Sequence, residues 1–119
     1  MLTFALDDIH SFKNLDVWYK EFLHYADVQD FDNFPFLIIG NKSDIEDNMR
    51  EITEAEAKDW CSNHGDLPYL ETSAKTASNV TEAFSIAVQR WVEMESKMER
   101  PVITGTIDLN KENPSRCCF

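Results

Sequence analysis

Asn41, Lys42 and Asp44 fall within the quartet Asn41-Lys42-Ser43-Asp44, directly after the apolar run Phe36-Leu37-Ile38-Ile39-Gly40. An ionised carboxylate is an acceptor with two oxygens, so one aspartate can hold two parallel donors through charge-assisted bonds. The N1–H and 2-amine of a guanine ring form such a pair of donors. Adenine has an acceptor at N1 and no 2-amine, and the same aspartate would reject it. Asn41 could add an amide contact to the far edge of the base, and Lys42 could lay its methylene stem along the ring face. The quartet is also ordinary turn composition, so its meaning depends on where the chain places it.

The apolar run is short, partly β-branched and uninterrupted, which predicts a strand buried on both faces. In open parallel sheets, ligands sit just beyond the carboxyl ends of such strands. A second strand is predicted over Leu2–Leu6. After Asp7-Asp8, the residues Phe12, Leu15, Trp18, Tyr19, Phe22 and Tyr25 recur at helical spacing as a core-facing stripe, with Asp8 as N-cap. A polar loop, Asp27 to Pro35, leads back to the central strand. Thr53-Glu54-Ala55-Glu56 fits a capping box, with Ile52 and Ala57 placed for a hydrophobic staple. That helix should run to about Asn63 and close at Gly65. Cys61 lies within it, and no histidine or basic neighbour is placed by the sequence to activate its thiol.

Leu67–Thr72 makes a third strand and leads into Ser73-Ala74-Lys75. Asn79 and Glu82 are placed to cap the longest helix, with Val80, Ala83, Phe84, Ala87, Val88 and Trp91 on its inner face and an end before Pro101. Alternation of strand and helix implies an α/β fold with a parallel sheet and right-handed crossovers. From Arg100 onward the pattern dissolves into a nearly neutral tail that is expected to be disordered.

The 119 residues suffice for one domain with a modest core. The formal net charge of -11 argues against nucleic acid as a partner and against binding of acidic lipids by charge alone. No apolar run approaches bilayer-spanning length, and Met1–Leu6 is too short for a signal-peptide core, which predicts a cytoplasmic chain. Three cysteines, two of them adjacent at the end, do not make a disulfide framework.

Asn41-Lys42-Ser43-Asp44, followed after the next strand by Glu71-Thr72-Ser73-Ala74-Lys75, resembles the guanine-specificity half of the Ras-like small GTPases. Ser11-Phe12-Lys13-Asn14-Leu15 with Trp18 looks like the Rab branch, as does an ending in paired cysteines. The stretches Phe34 to Lys42 and Gly65 to Lys75 look closest to the Rab nine type.

The resemblance implies the C-terminal portion of a P-loop NTPase-like, Rossmann-like three-layer domain, with three parallel strands and three helices over residues 1–99 and a hypervariable, prenylated tail over 100–119. By the same resemblance, Asp44 would hold guanine N1 and the 2-amine, and Asn41 would contact the base edge. Lys42 and Lys75 would flank ring and ribose, the Ala74 N–H would donate to the guanine oxygen, and Ser73 would steady its loop. The glycines Gly40, Gly65 and Gly105 do not form a phosphate-cradling loop. The family's phosphate loop, switch segments, catalytic glutamine and Mg2+ ligands are expected upstream of Met1. No catalytic or metal-ligating residue is assigned in this chain, and no hydrolysis of GTP by it alone is expected. GTP or GDP would be held through the base only, no tighter than roughly millimolar.

In the family's strand order, Leu2–Leu6 lies beside a strand outside this chain, which predicts an unpaired apolar edge. Cys117 and Cys118 would carry geranylgeranyl groups, and two such chains give durable membrane attachment. The implied partners are Rab escort protein, GDP-dissociation inhibitor and effectors. The implied location is peripheral, on endosomal and Golgi membranes, in vesicle-mediated transport between late endosomes and the trans-Golgi. The alternative reading is a non-catalytic product that occupies escort or prenylation machinery, or effectors, without nucleotide.

Overall fold

A computed structural model of the chain describes residues 1–26 and 34–97. Three strands, β1 (Leu2–Ala5), β2 (Ile38–Asn41) and β3 (Tyr69–Thr72), form a parallel sheet in the order β1-β2-β3. The central strand is buried on both sides because its apolar residues alternate between two cores. Phe36 and Ile38 join Phe4, Leu6, Leu15, Ile52, Ala57, Cys61 and Leu67 on one face, while Leu37 and Ile39 join Ala83 on the other. Pairing starts at Ile38 rather than Phe36, although Phe36 and Leu37 are already buried.

The first crossover is helical and interrupted once, into α1 (Ile9–Lys13) and α2 (Leu15–Tyr25). Asp8 caps it as the sequence predicts, its carboxylate accepting from the N–H groups of His10 and Ser11 at 2.9 and 3.2 Å. Asn14 sits at the interruption with helical backbone angles. The predicted core-facing stripe divides. Leu15 is buried and Phe12 and Tyr19 pack on the core, but Trp18, Phe22 and Tyr25 are exposed. With Leu2 and Ala26 they line a shallow apolar groove of about 470 Å³. Periodicity identified an apolar face; the sheet below covers only part of it.

The second helix, α3 (Glu54–Asn63), follows the predicted bounds and carries the full capping box. Thr53 Oγ1 accepts from the Glu56 N–H, and Glu56 Oε2 accepts from the Thr53 N–H at 2.8 Å. Ile52 and Ala57 are both buried, and the chain turns away at Gly65 with φ +89°. Cys61 is buried, and burial pushes its thiol up to about 11, so it stays protonated and inert at neutral pH.

The third helix, α4, is described over Val80–Lys97, and its predicted inner face holds only in part. Ala83 is buried, with Ile86 and Ala87 packed beside it. Phe84, Val88 and Trp91 are exposed, as is Val92. The helix is apolar over more than one side, so its sequence does not say which side meets the sheet.

Among the described residues β1 is an edge strand. Its edge is partly blunted. The N–H groups of Leu2 and Leu6 donate toward the β2 side, to the carbonyls of Leu37 and Asn41. The intervening Ala5 N–H donates to Ser11 Oγ at 2.9 Å. No helix among the described residues is long and apolar enough to cross a membrane. The tail and its cysteines, Cys117 and Cys118, lie outside the described residues, as does most of the polar loop after Ala26.

Candidate functional site

Two loops leave the sheet at the carboxyl ends of adjacent strands, residues 42–44 after β2 and 73–75 after β3. The β2–β3 register sets Asn41 opposite Thr72, and the Ser43 N–H donates to the Thr72 carbonyl at 3.0 Å. The backbone therefore brings the loops together before any side chain acts. Lys42 turns the chain with φ +72°, a left-handed conformation uncommon for a residue with a Cβ.

The side chains then join the loops. Asn41 Oδ1 accepts from the Ala74 N–H at 3.1 Å and from Thr72 Oγ1 at 3.3 Å. Ser73, fully buried, donates its hydroxyl to Asp44 Oδ1 at 2.5 Å and accepts from the Thr76 N–H at 3.1 Å. Lys75 Nζ lies 3.8 Å from Asp44 Oδ2, an ion pair rather than a hydrogen bond. The Ser73 hydrogen bond holds the Asp44 carboxyl below the usual carboxylate range, opposed by burial and helped by Lys75 and Lys42. Asp44 is therefore ionised at neutral pH, the form that two parallel donors require.

The residues singled out in the sequence thus converge, with one addition. Lys42 Nζ donates to both carboxylate oxygens of Asp7 at 2.8 Å, across 35 residues of chain. The Ala74 N–H is engaged by Asn41, so a base oxygen would share or displace that bond.

A second tier braces β3. Arg50 makes a two-pronged contact with Glu71, Nη1 to Oε2 at 3.0 Å and Nη2 to Oε1, while its Nε donates to the Ile52 carbonyl at 2.6 Å. Tyr69 donates its hydroxyl to Glu71 Oε1 at 2.8 Å. Burial alone would raise the Glu71 carboxyl, but the bonds from Arg50 and Tyr69 hold it below its usual range. The Tyr69 hydroxyl explains the glycine before Asn41, because a Cβ at Gly40 would come within 2.6 Å of it. Asn79 Nδ2 donates to the Glu71 carbonyl at 2.8 Å, tying the start of α4 to the end of β3. Arg50 and Tyr69 escaped the sequence reading because neither belongs to a polar motif. Asp7 could have been found by laying β1 beside β2, since each polar residue follows its strand at a similar offset.

Among the described residues, no group of three or more His, Cys, Asp or Glu could hold a metal ion. The described residues assemble no donor set for Mg2+.

The Ras family profile matches residues 1–93. The chain is 50% identical to Ras-related protein Rab-9B of Homo sapiens over 120 residues, covering 99% of this chain and 59% of the relative. It is 48% identical to Ras-related protein Rab-9A of Mus musculus over the same length and shares. A plant relative, Ras-related protein RABG3f of Arabidopsis thaliana, is 40% identical over 117 residues, covering 98% of this chain and 56% of the relative. The chain therefore spans about three-fifths of the length of the curated relatives it matches.

Proposed function

The chain belongs to the Ras family and is Rab-9-like within it, and on that premise we propose that its two loops are the guanine-recognising half of a nucleotide site. Asp44 takes the N1–H and 2-amine of the base, and Asn41 contacts its far edge. Lys42 and Lys75 lie along ring and ribose, and the Ala74 N–H serves the guanine oxygen while Ser73 holds the loop. One observation carries this reading. Ser73 and Asp44, 29 residues apart, meet at 2.5 Å and leave an ionised carboxylate beyond the ends of two parallel strands. The residues of this chain are assigned recognition of the base and no step of phosphoryl transfer.

The proposal extends to the whole protein. It would cycle between GTP and GDP in vesicle-mediated transport, between late endosomes and the trans-Golgi. Residues 1–99 would be the C-terminal part of the GTPase domain and 100–119 its tail, with geranylgeranyl groups on Cys117 and Cys118. Escort protein, GDP-dissociation inhibitor and effectors would be its partners on endosomal and Golgi membranes. Family membership and the paired-cysteine ending support this extension. A second reading, occupation of escort or effector proteins without nucleotide, is favoured by the apolar residues exposed on α2 and α4.

Nucleotide titration tests the first reading. GDP should bind about tenfold more tightly than ADP, a difference of about 1.4 kcal/mol. Asp44→Asn should turn the preference toward a xanthine nucleotide, whose 2-oxygen accepts where guanine's amine donates. Equal binding of GDP and ADP would refute the proposal.

A further inference from the structure

Asp7 belongs to no motif in the sequence, yet it holds the ammonium of Lys42 with both its oxygens at 2.8 Å. We propose that Asp7 is a positioning residue, fixing the Lys42 stem where it can lie along a purine ring; this rests on the base-recognition reading above.

Three observations support the assignment. The β1–β2 register pairs Ala5 with Asn41, and the Leu6 N–H donates to the Asn41 carbonyl at 3.0 Å. Asp7 and Lys42 therefore emerge side by side from neighbouring strands. The Lys42 backbone is fixed at φ +72°, which sets the direction in which its side chain departs. The remaining freedom is in the four-carbon stem, which is large for lysine and must be lost when a base stacks on it. An anchor on the ammonium removes much of that freedom beforehand, and preorganisation of this kind favours binding. The pair is also partly sheltered, with the side chains 48% and 26% exposed for Lys42 and Asp7.

The same contact spends the charge of Lys42. While Asp7 holds it, the ammonium is not available to a phosphate, so Lys42 serves the ring rather than the diphosphate. Removing the Asp7 charge should then act on two ligands with opposite signs. The neutral nucleoside loses an ordered stacking surface, whereas the nucleotide gains a free cation.

The test uses the full chain, with guanosine and GDP as probes, read from the initial slopes of the Asp44 and Ala74 amide shifts. Asp7→Asn should weaken guanosine about threefold while raising the ratio of GDP to guanosine affinity. In a Lys42→Met background, Asp7→Asn should leave guanosine unaffected. A general loosening of the fold would weaken both ligands in parallel and would persist without Lys42, and either outcome overturns the proposal. So does unchanged guanosine binding by Asp7→Asn when the parent chain still prefers guanosine to adenosine. If the parent chain shows no such preference, the base-recognition reading falls, and the role of Asp7 falls with it.

Discussion

The carboxyl ends of the strands and the flanks of the sheet satisfy their side chains in different ways. At the strand ends, polar groups from distant parts of the chain meet one another: Asn41 with Ala74, Ser73 with Asp44, Arg50 with Glu71. Along the flanks, large apolar groups stand in solvent. Trp18 and Tyr25 of α2 are 58% and 80% exposed, and Phe84 and Val88 of α4 are 57% and 61% exposed. Hydrogen-bonded loops can complete themselves from within one chain, because each donor needs only one acceptor at one distance. An apolar face needs a whole surface opposite it. The contrast teaches that a polar site can be finished in a chain whose hydrophobic packing is not.

If the strand ends are the finished region, substitutions there should be costly. The largest effect is expected from Gly40→Val, which drives a branched side chain against the Tyr69 hydroxyl, Leu6 and Phe4. About 3 kcal/mol of stability should be lost in urea unfolding, and a loss near zero would mean that Tyr69 is free to move.

Arg50→Met is expected to cost about 2 kcal/mol, because it leaves a partly buried Glu71 carboxylate without its cation. Its pH dependence is a sharper test. The Glu71 carboxyl is lowered in the folded chain, so its contribution is present above the unfolded value and is lost as pH falls through the folded one. The parent should therefore lose stability on acidification below the ordinary carboxylate range, and Arg50→Met should show a shallower acid limb. An identical limb would remove Glu71 from the account.

The smallest change in stability is expected on the flanks. Trp18→Gln with Phe84→Gln should shift unfolding by no more than about 0.5 kcal/mol, while reducing concentration-dependent association in sedimentation. A large destabilisation would show that these faces are packed in solution and would erase the contrast.

What the sequence disclosed follows the same division. The capping box at Thr53 and the cap at Asp8 were legible because each closes within three residues. The strand-ending motifs were legible because each follows an apolar run that only a buried strand explains. The faces of α2 and α4 were not. A helical repeat identifies which residues share a side, but Trp18 and Phe84 depend on what lies opposite, and the described sheet extends over only part of each helix. Asp7 and Arg50 were hidden for another reason. Their partners are 35 and 21 residues away; strand register brings Asp7 to Lys42, and the connection between β2 and α3 brings Arg50 to Glu71.

The three tryptophans are distributed so that light can tell these regions apart. Trp60, on α3, is stacked on His64 with ring centres 3.8 Å apart and packs, partly buried, against the core. Trp18 faces the groove next to β1, and Trp91 stands on the outer side of α4. An emission spectrum therefore combines one sheltered indole with two wet ones. Replacing either wet indole by phenylalanine leaves an optical reporter for a single flank.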